Sequence, residues 1–301
     1  MKKIIVRIQG GTGNQLFQYA FARGVSARLG MPYLIDKKVC DDARWDPHKI
    51  HRKYSLNLFN TKTPFAEDGD MFGFVGIRKH YKAFDAFYKY LRGKRFFLPF
   101  YYPEKTFAYD VEVFARKSST YFDGDWQGEK YFRHIADELR AEITPVKALS
   151  EASLKALEEI KKANAVSLHV RRGDYVTDPL AAEMHGVCSM SYYAAAIAHI
   201  EKNVANPHFF IFSDDYAWSV ENFKGLKHPV TCIKGTEASD YEDLALMSAC
   251  KHHIIANSSF GWWGAWLNPR TDKVVVAPKV WFRNAPKADT KDVYAENWIR
   301  L

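Results

Sequence analysis

Residues 165–170, Ala-Val-Ser-Leu-His-Val, form a short apolar run that stops at Arg171-Arg172-Gly173-Asp174. An apolar run of this length, closed by a turn signal, reads as a buried strand. Similar runs recur downstream at 208–212, 231–233, 253–257 and 274–277, separated by helical patterns at 192–200, 241–250 and 262–267. Strands alternating with helices at this spacing build βαβ units and a parallel sheet. Open sheets of this kind bind ligands at the carboxyl edge of the strands. The first run therefore presents fixed positive charge where a ligand is expected.

The N-terminal half repeats the pattern once. Residues 4–8 make a strand, Gln9-Gly10-Gly11-Thr12-Gly13-Asn14-Gln15 a turn, and a helix follows to about Arg28 before a second strand at 33–36. Free N–H groups and the helix dipole make such a turn hospitable to anions. Its glycine spacing does not match G-x-G-x-x-G, and it lacks the Lys-Ser/Thr of a P-loop. A tight turn that needs glycine φ angles accounts for it equally well. The amides of Asn14 and Gln15 at the helix start call for partners if buried.

Residues 37–120 read as helices and loops rich in aromatic and basic residues, as in Arg78-Lys79-His80-Tyr81 and Lys94-Arg95-Phe96-Phe97. Residues 121–132 read as a strand, a polar turn and a helix start. Asp123, Asp125 and Glu129 there are candidates for a general base or for charge that complements a helix dipole. Thr144-Pro145 interrupts the chain, and Ser150-Glu151 opens an amphipathic helix. The fold class is α/β: two Rossmann-like domains, 1–148 and 149–301, facing across a cleft. The tail from 291 to 301 reads as a short helix, with room to pack back on the first domain. The long loop 176–189, just past the arginines, reads as a lid or binding loop.

The 301 residues carry a net charge of +8, spread along the chain. The excess favours an anionic ligand, but no arginine-rich helix or zinc-finger spacing points to nucleic acid. The four cysteines form no CxxC pair, which suits reduced thiols rather than a disulfide framework. The start, Met1-Lys2-Lys3, leads into a strand broken by Arg7, not a signal peptide. No segment approaches the ~20 apolar residues a membrane span needs. The protein is expected to be cytoplasmic.

Three pairs at strand ends should converge in the second domain: Arg171 with Arg172, Asp214 with Asp215, and Ser258 with Ser259. Guanidinium groups clamp a diphosphate through paired N–H donors. A helix start preceded by Asn257-Ser258-Ser259-Phe260 adds hydroxyl and backbone donors. A strand-end carboxylate following Ser213 can accept two N–H groups from a base edge, and guanine presents such a pair. The same Ser213-Asp214-Asp215 run is open to a metal-binding reading and to a helix-capping one. His169 is given a binding rather than a base role. Asp174 orients the arginines or acts as a base near the sugar. The tryptophans at 262, 263 and 266 have helical spacing and read as core.

At these residues the chain resembles glycosyltransferase family 11, the bacterial-type α-1,2-fucosyltransferases. The matching segments are Gly10-Gly11 with residues 13–20, Trp126-Gln127 with residues 129–132, residues 169–175, His185-Gly186 with Cys188 and Tyr192-Tyr193, residues 210–215 and residues 257–267. The His-x-Arg-Arg core is also similar to that of α-1,6- and protein O-fucosyltransferases. The resemblance implies a GT-B fold, GDP-β-L-fucose as donor, no metal or other cofactor, and inverting transfer to the 2-hydroxyl of a galactose. By the same resemblance Arg171 binds the β-phosphate, and His169 with Asp214 or Asp215 serves the GDP end. Ser258, Ser259 and Phe260 flank the phosphates or base, and residues 10–15 approach donor or acceptor. Two departures stand out: Thr12 replaces a usual leucine, and Asp125 a common aromatic.

Arg171, Arg172 and Asp174 are thus the expected catalytic residues. Gly10, Gly11, Asn14, Gln15, His169, Ser213, Asp214, Asp215, Asn257, Ser258, Ser259 and Phe260 are the expected donor-binding set, and no metal site is expected. The expected partners are GDP-fucose and a galactose-terminated oligosaccharide or lipid-linked glycan, with peripheral contact at the inner face of a membrane and no nucleic acid. A Rossmann dehydrogenase, another GDP-sugar transferase and a non-catalytic carbohydrate- or polyanion-binding protein are the alternatives.

Overall fold

The structure is a computed structural model; it describes residues 1–41, 52–71, 100–235, 240–284 and 289–301. The basic and aromatic runs at 78–81 and 94–97 lie outside the described residues. The chain divides into two compact units, the first comprising Met1–Asn57 with Thr61–Leu139, the second Leu58–Asn60 with Arg140–Leu301.

The first unit holds four strands, β1 (Ile4–Arg7), β2 (Tyr33–Asp36), β3 (Tyr101–Pro103) and β4 (Thr120–Asp123), in the order β2-β1-β4-β3. All three pairings are parallel. Every β1 residue is buried, as expected of a strand covered on both faces. Helix α1 (Thr12–Leu29) follows the glycine turn and ends at Gly30, whose φ of 64° is left-handed. Its Gly24 faces Tyr131 so closely that a Cβ would lie 2.3 Å from the Tyr131 carbonyl oxygen, so the close approach requires glycine. Trp126, Phe21, Phe122 and Tyr131 pack as an aromatic core, with Phe21 stacked on Trp126 at 4.2 Å. A short helix, α2 (Ala136–Glu142), closes the segment.

The second unit opens with α3 (Glu151–Lys162), capped by Ser150. Glu242 accepts hydrogen bonds from the Ser150 amide and from Ser153 Oγ, tying α3 to a later helix. Six strands follow the order β10-β9-β8-β5-β6-β7: β5 (Asn164–Val170), β6 (Pro207–Ser213), β7 (Val230–Ile233), β8 (His252–Ile254), β9 (Val275–Ala277) and β10 (Ile299–Arg300). All are parallel. The connecting helices are α4 (Gly173–Thr177), α5 (Pro179–Met184), α6 (Met190–Asn203), α7 (Tyr216–Phe223), α8 (Asp240–Ala249) and α9 (Ser259–Leu267).

Three expectations change. The stretch after the arginines is not a bare loop: α4 and α5 occupy it, because Asp178 caps α5 through the Leu180 and Ala181 amides and Pro179 fits its first turn. The tail does not form a helix. Residues 299–300 add an edge strand to β9 in the second. Within the aromatic region read as helices and loops, β3 is a strand paired with β4.

Candidate functional site

The long pairing of β5 with β6 sets the second unit's site. It places Val170 opposite Ser213, so the residues after both strands emerge level. Arg171 then meets two carboxylates, with Nη2 2.7 Å from Asp174 Oδ1 and Nη1 3.0 Å from Asp214 Oδ2. Burial disfavours its charge, but Asp214 and Asp174 outweigh that and hold the guanidinium ionised. Arg172 donates from Nε to Asp215 Oδ2 at 3.0 Å and from its amide to Asp214 Oδ1 at 2.8 Å. Its guanidinium lies 4.1 Å from the centre of the Trp218 ring. Gly173 permits this arrangement, since a Cβ there would lie 2.5 Å from Asp214 Oδ2.

Asp214 thus accepts from both arginines, one on each oxygen. Asp215 also caps α7 by accepting the Trp218 amide, and its own amide donates to Ser213 Oγ. Asn257 is organised in the same inward way. Its Nδ2 donates to the His185 and Gly186 carbonyls, its Oδ1 accepts from Cys188, and its carbonyl accepts from Tyr175. It fixes the α5–α6 connection against the strand end, where Tyr175 and His185 stack at 4.6 Å.

Ser258 caps α9 through the Phe260 amide and is buried, leaving the first-turn N–H groups of the helix as anion donors. His169 is 5% exposed, and its Nδ1 has no hydrogen-bond partner. Burial, then Arg171, pushes its pKa down to about 3, so the ring is neutral at ordinary pH. Gly261 makes room for it: a Cβ there would sit 2.5 Å from Nδ1. Phe260 lies 5.9 Å from the same ring. Arg171, Arg172, Asp174, Ser213, Asp214, Asp215, His169, Ser258 and Phe260 thus share one edge, with Ser259 opening α9 beside them.

Asp243, which sequence reasoning passed over as part of a helix, lies in the first turn of α8. Met247 of α8 contacts the Gly264 position of α9, so the two helices touch there. Both run from one parallel strand to the next, so the first turn of each, holding Asp243 in α8 and Phe260 in α9, starts at the carboxyl edge of the sheet. Burial, then Asp240 and Glu242, pushes the Asp243 pKa up to about 7. Its sequence signal is an acid amid the apolar residues Leu244, Leu246 and Met247.

The first unit's carboxyl edge has its own polar array. Gly10 adopts φ 77°, and the fully buried Gln15 donates to the carbonyls of Gly10 and Lys53 while accepting the Ser55 amide. Gln15 is thus a structural tie. Asn14 Oδ1 accepts from Gln127 Nε2 at 3.2 Å. Gly11 precedes α1 without a side-chain cap. Of the acids considered as bases, Asp123 is bound by Arg7 at 3.0 Å and by the Tyr101 hydroxyl at 2.6 Å. Glu129 is buried in a 3-10 turn. Among the described residues, no group of three or more His, Cys, Asp or Glu could hold a metal ion.

The sequence profile of glycosyl transferase family 11 matches residues 100–301. An α-1,2-colitosyltransferase from Escherichia coli is 33% identical over 100% of this chain and 99% of its own length. The O-antigen biosynthesis glycosyltransferase WbnK from Escherichia coli is 31% identical over 98% of this chain and 99% of its own. Among solved structures, a variant of Arabidopsis thaliana FUT1 in complex with GDP superposes with a TM-score of 0.52 at 12% identity, covering 92% of this chain and 70% of that one. The two α/β units with parallel sheets are those of the GT-B fold.

Proposed function

The chain belongs to glycosyltransferase family 11, and from that premise we propose that it transfers L-fucose from GDP-β-L-fucose to the 2-hydroxyl of a terminal galactose, with inversion and without a metal. The observation that carries this reading is the Arg171 guanidinium held by Asp174 and Asp214 beside the α9 N-terminus. Two carboxylates fix its plane, and its remaining N–H groups can meet a diphosphate without reorganising. Attack by the galactose 2-hydroxyl on the sugar's anomeric carbon breaks the bond to the β-phosphate, the electron pair leaves with GDP, and the hydroxyl proton is lost late, to solvent, as the new bond forms. Arg171 and the α9 amides stabilise that growing charge; one pre-placed donor of this kind contributes about 3 kcal/mol. Asp174 acts by orienting Arg171.

With Asp214 and Asp215 engaged by the arginines, Asp243 is the carboxylate suited to read the guanine N1–H and 2-amino edge. Phe260 flanks the same nucleotide. The first unit is assigned to the acceptor, a galactose-terminated glycan of the O-antigen kind. No helix among the described residues is long and apolar enough to cross a membrane. A lipid-linked acceptor met at the inner membrane face suits the proposed role.

One test incubates the protein with GDP-fucose and a panel of galactosides in EDTA, with product linkage read by NMR. An α-1,2-linked fucoside supports the reading. Loss of activity in EDTA refutes metal independence, and no fucoside with any galactoside refutes the transfer. The full-length similarity to a colitosyltransferase favours a second donor, GDP-colitose, and a parallel reaction with it separates the two.

A further inference from the structure

The first unit contains a carboxylate that the reaction above does not use. Glu104 follows β3, and its two oxygens accept the amides of consecutive residues in the turn after β4: Asp125 at 2.8 Å on Oε2 and Trp126 at 3.0 Å on Oε1. The turn is shaped to this contact. At Gly124 a Cβ would lie 2.4 Å from Glu104 Cβ, so any side chain there must displace Glu104. Trp126 holds φ at 54°, a left-handed angle rare for a bulky residue, while fully buried against Phe21. The Trp126 indole Nε1 has no partner, and Cε2, which bears it, lies 3.1 Å from the same Gly124 point that Glu104 crowds. One residue on, Gln127 donates to Asn14, which packs on the Gly10 turn. A connected path thus runs from the end of β3, through the end of β4, to the turn after β1.

We propose that Glu104 is a positioning residue for the acceptor sugar: its carboxylate holds the 124–127 turn so that the half-buried Asp125 meets the incoming galactoside at the sheet's carboxyl edge, with the buried Gln127 tying the turn to Asn14. This rests on the assignment of the acceptor to the first unit. Ligands of open parallel sheets bind where this path lies, and sugar hydroxyls need carboxylates and amides held still, which a single rigid brace supplies.

Glu104 also makes the brace sensitive to protons. Burial, then the nearby Asp125 and Asp123 charges, pushes its pKa up to about 8. Asp123 is itself held by Arg7 and Tyr101, and the Tyr131 phenol faces Glu104 from the aromatic core. Above that pH both oxygens accept amides fully. Below it one becomes a hydroxyl and accepts weakly, so galactoside affinity should rise as pH passes through 8.

Glu104→Gln preserves shape but sets an NH2 group against one of the two amides. Galactoside binding by isothermal titration calorimetry with GDP present, and KM for both substrates, are measured from pH 6.5 to 9. The expected result is a galactoside KM and Kd raised at least tenfold, a GDP-fucose KM within twofold of wild type, a native circular-dichroism spectrum, and loss of the rise near pH 8. Gly124→Ala, which displaces Glu104 from the other side, should reproduce the split. Equal galactoside affinity and pH profile in variant and wild type overturn the proposal, as does an equal loss for donor and acceptor. Galactoside binding without transfer in the wild type sinks the proposed reaction alone. No galactoside binding by the wild type sinks the positioning role.

Discussion

Replacing Asp243 by Asn tests which acid reads the nucleotide base. An ionised carboxylate that accepts two N–H groups makes two charge-assisted bonds, each worth about 1.5–3 kcal/mol. The carboxamide keeps one acceptor and turns a donor toward the other N–H. The net loss should be about 2–4 kcal/mol, or about 30- to 700-fold in Kd at 1.4 kcal/mol per decade. Wild-type binding should also depend on pH. With the carboxyl pKa pushed up to about 7 in the free protein, binding of the ionised form alone weakens GDP about tenfold per pH unit below 7. The sign for stability is opposite. A folded pKa above the unfolded 3.8 contributes stability that is full below about pH 4 and lost as pH rises through 7. Apo Asp243→Asn should therefore gain on wild type as pH rises over that interval. Calorimetric titration of GDP and of inosine diphosphate, which lacks the 2-amino group, from pH 5 to 8 measures all of this. A variant that binds GDP within threefold of wild type, or a wild-type Kd flat across that range, refutes the assignment.

Salt, guanidinium geometry and acid stability test the rest of the site. The edge carries two guanidinium groups against three carboxylates, Asp174, Asp214 and Asp215, so geometry and helix amides rather than net charge should bind GDP. Its Kd should change less than about threefold between 50 and 500 mM NaCl, whereas a steep fall would show charge attraction dominating. Arg171→Lys keeps the charge but cannot reach Asp174 and Asp214 from one planar group; transfer should drop about a hundredfold, and activity within tenfold of wild type contradicts the clamp. The His169 pKa is pushed down to about 3, below the unfolded 6.5, so its stability contribution is full above pH 6.5 and lost as pH falls below it. The loss is about 1.4 kcal/mol per pH unit. His169→Gln should flatten urea-denaturation stability between pH 6 and 4.5 by that amount, and an unchanged slope refutes the buried neutral ring.

Several elements were legible because their causes are local. The run at 165–170 and its arginines announce a strand end through length, apolarity and Gly173 alone. Ser150 and the helix it caps lie within one turn of each other, and the turn before α1 declares itself by Gly10 and Gly11. Other elements carry no local signal. Strand β3 has three residues, Tyr101–Pro103, and exists because β4 offers it a partner. Strand β10 has two and depends on β9. The loop expected after the arginines became helical because Asp178 and Pro179 combine as a helix start, a signal present in the sequence but outweighed by the absence of apolar periodicity.

The sequence by itself determined that the chain is α/β, that its second half presents Arg171, Arg172, Asp214 and Ser258 at one sheet edge, and that its motifs are those of a glycosyltransferase family. Backbone sterics and hydrophobic periodicity act within a few residues and need no distant partner. Only the tertiary structure decided what each charged group faces. The pairing of Val170 with Ser213 delivers Asp214 to Arg171, and the contact of Met247 with the Gly264 position packs α8 against α9. An acid's role follows from the donors around it, and those donors come from strands and helices far away along the chain.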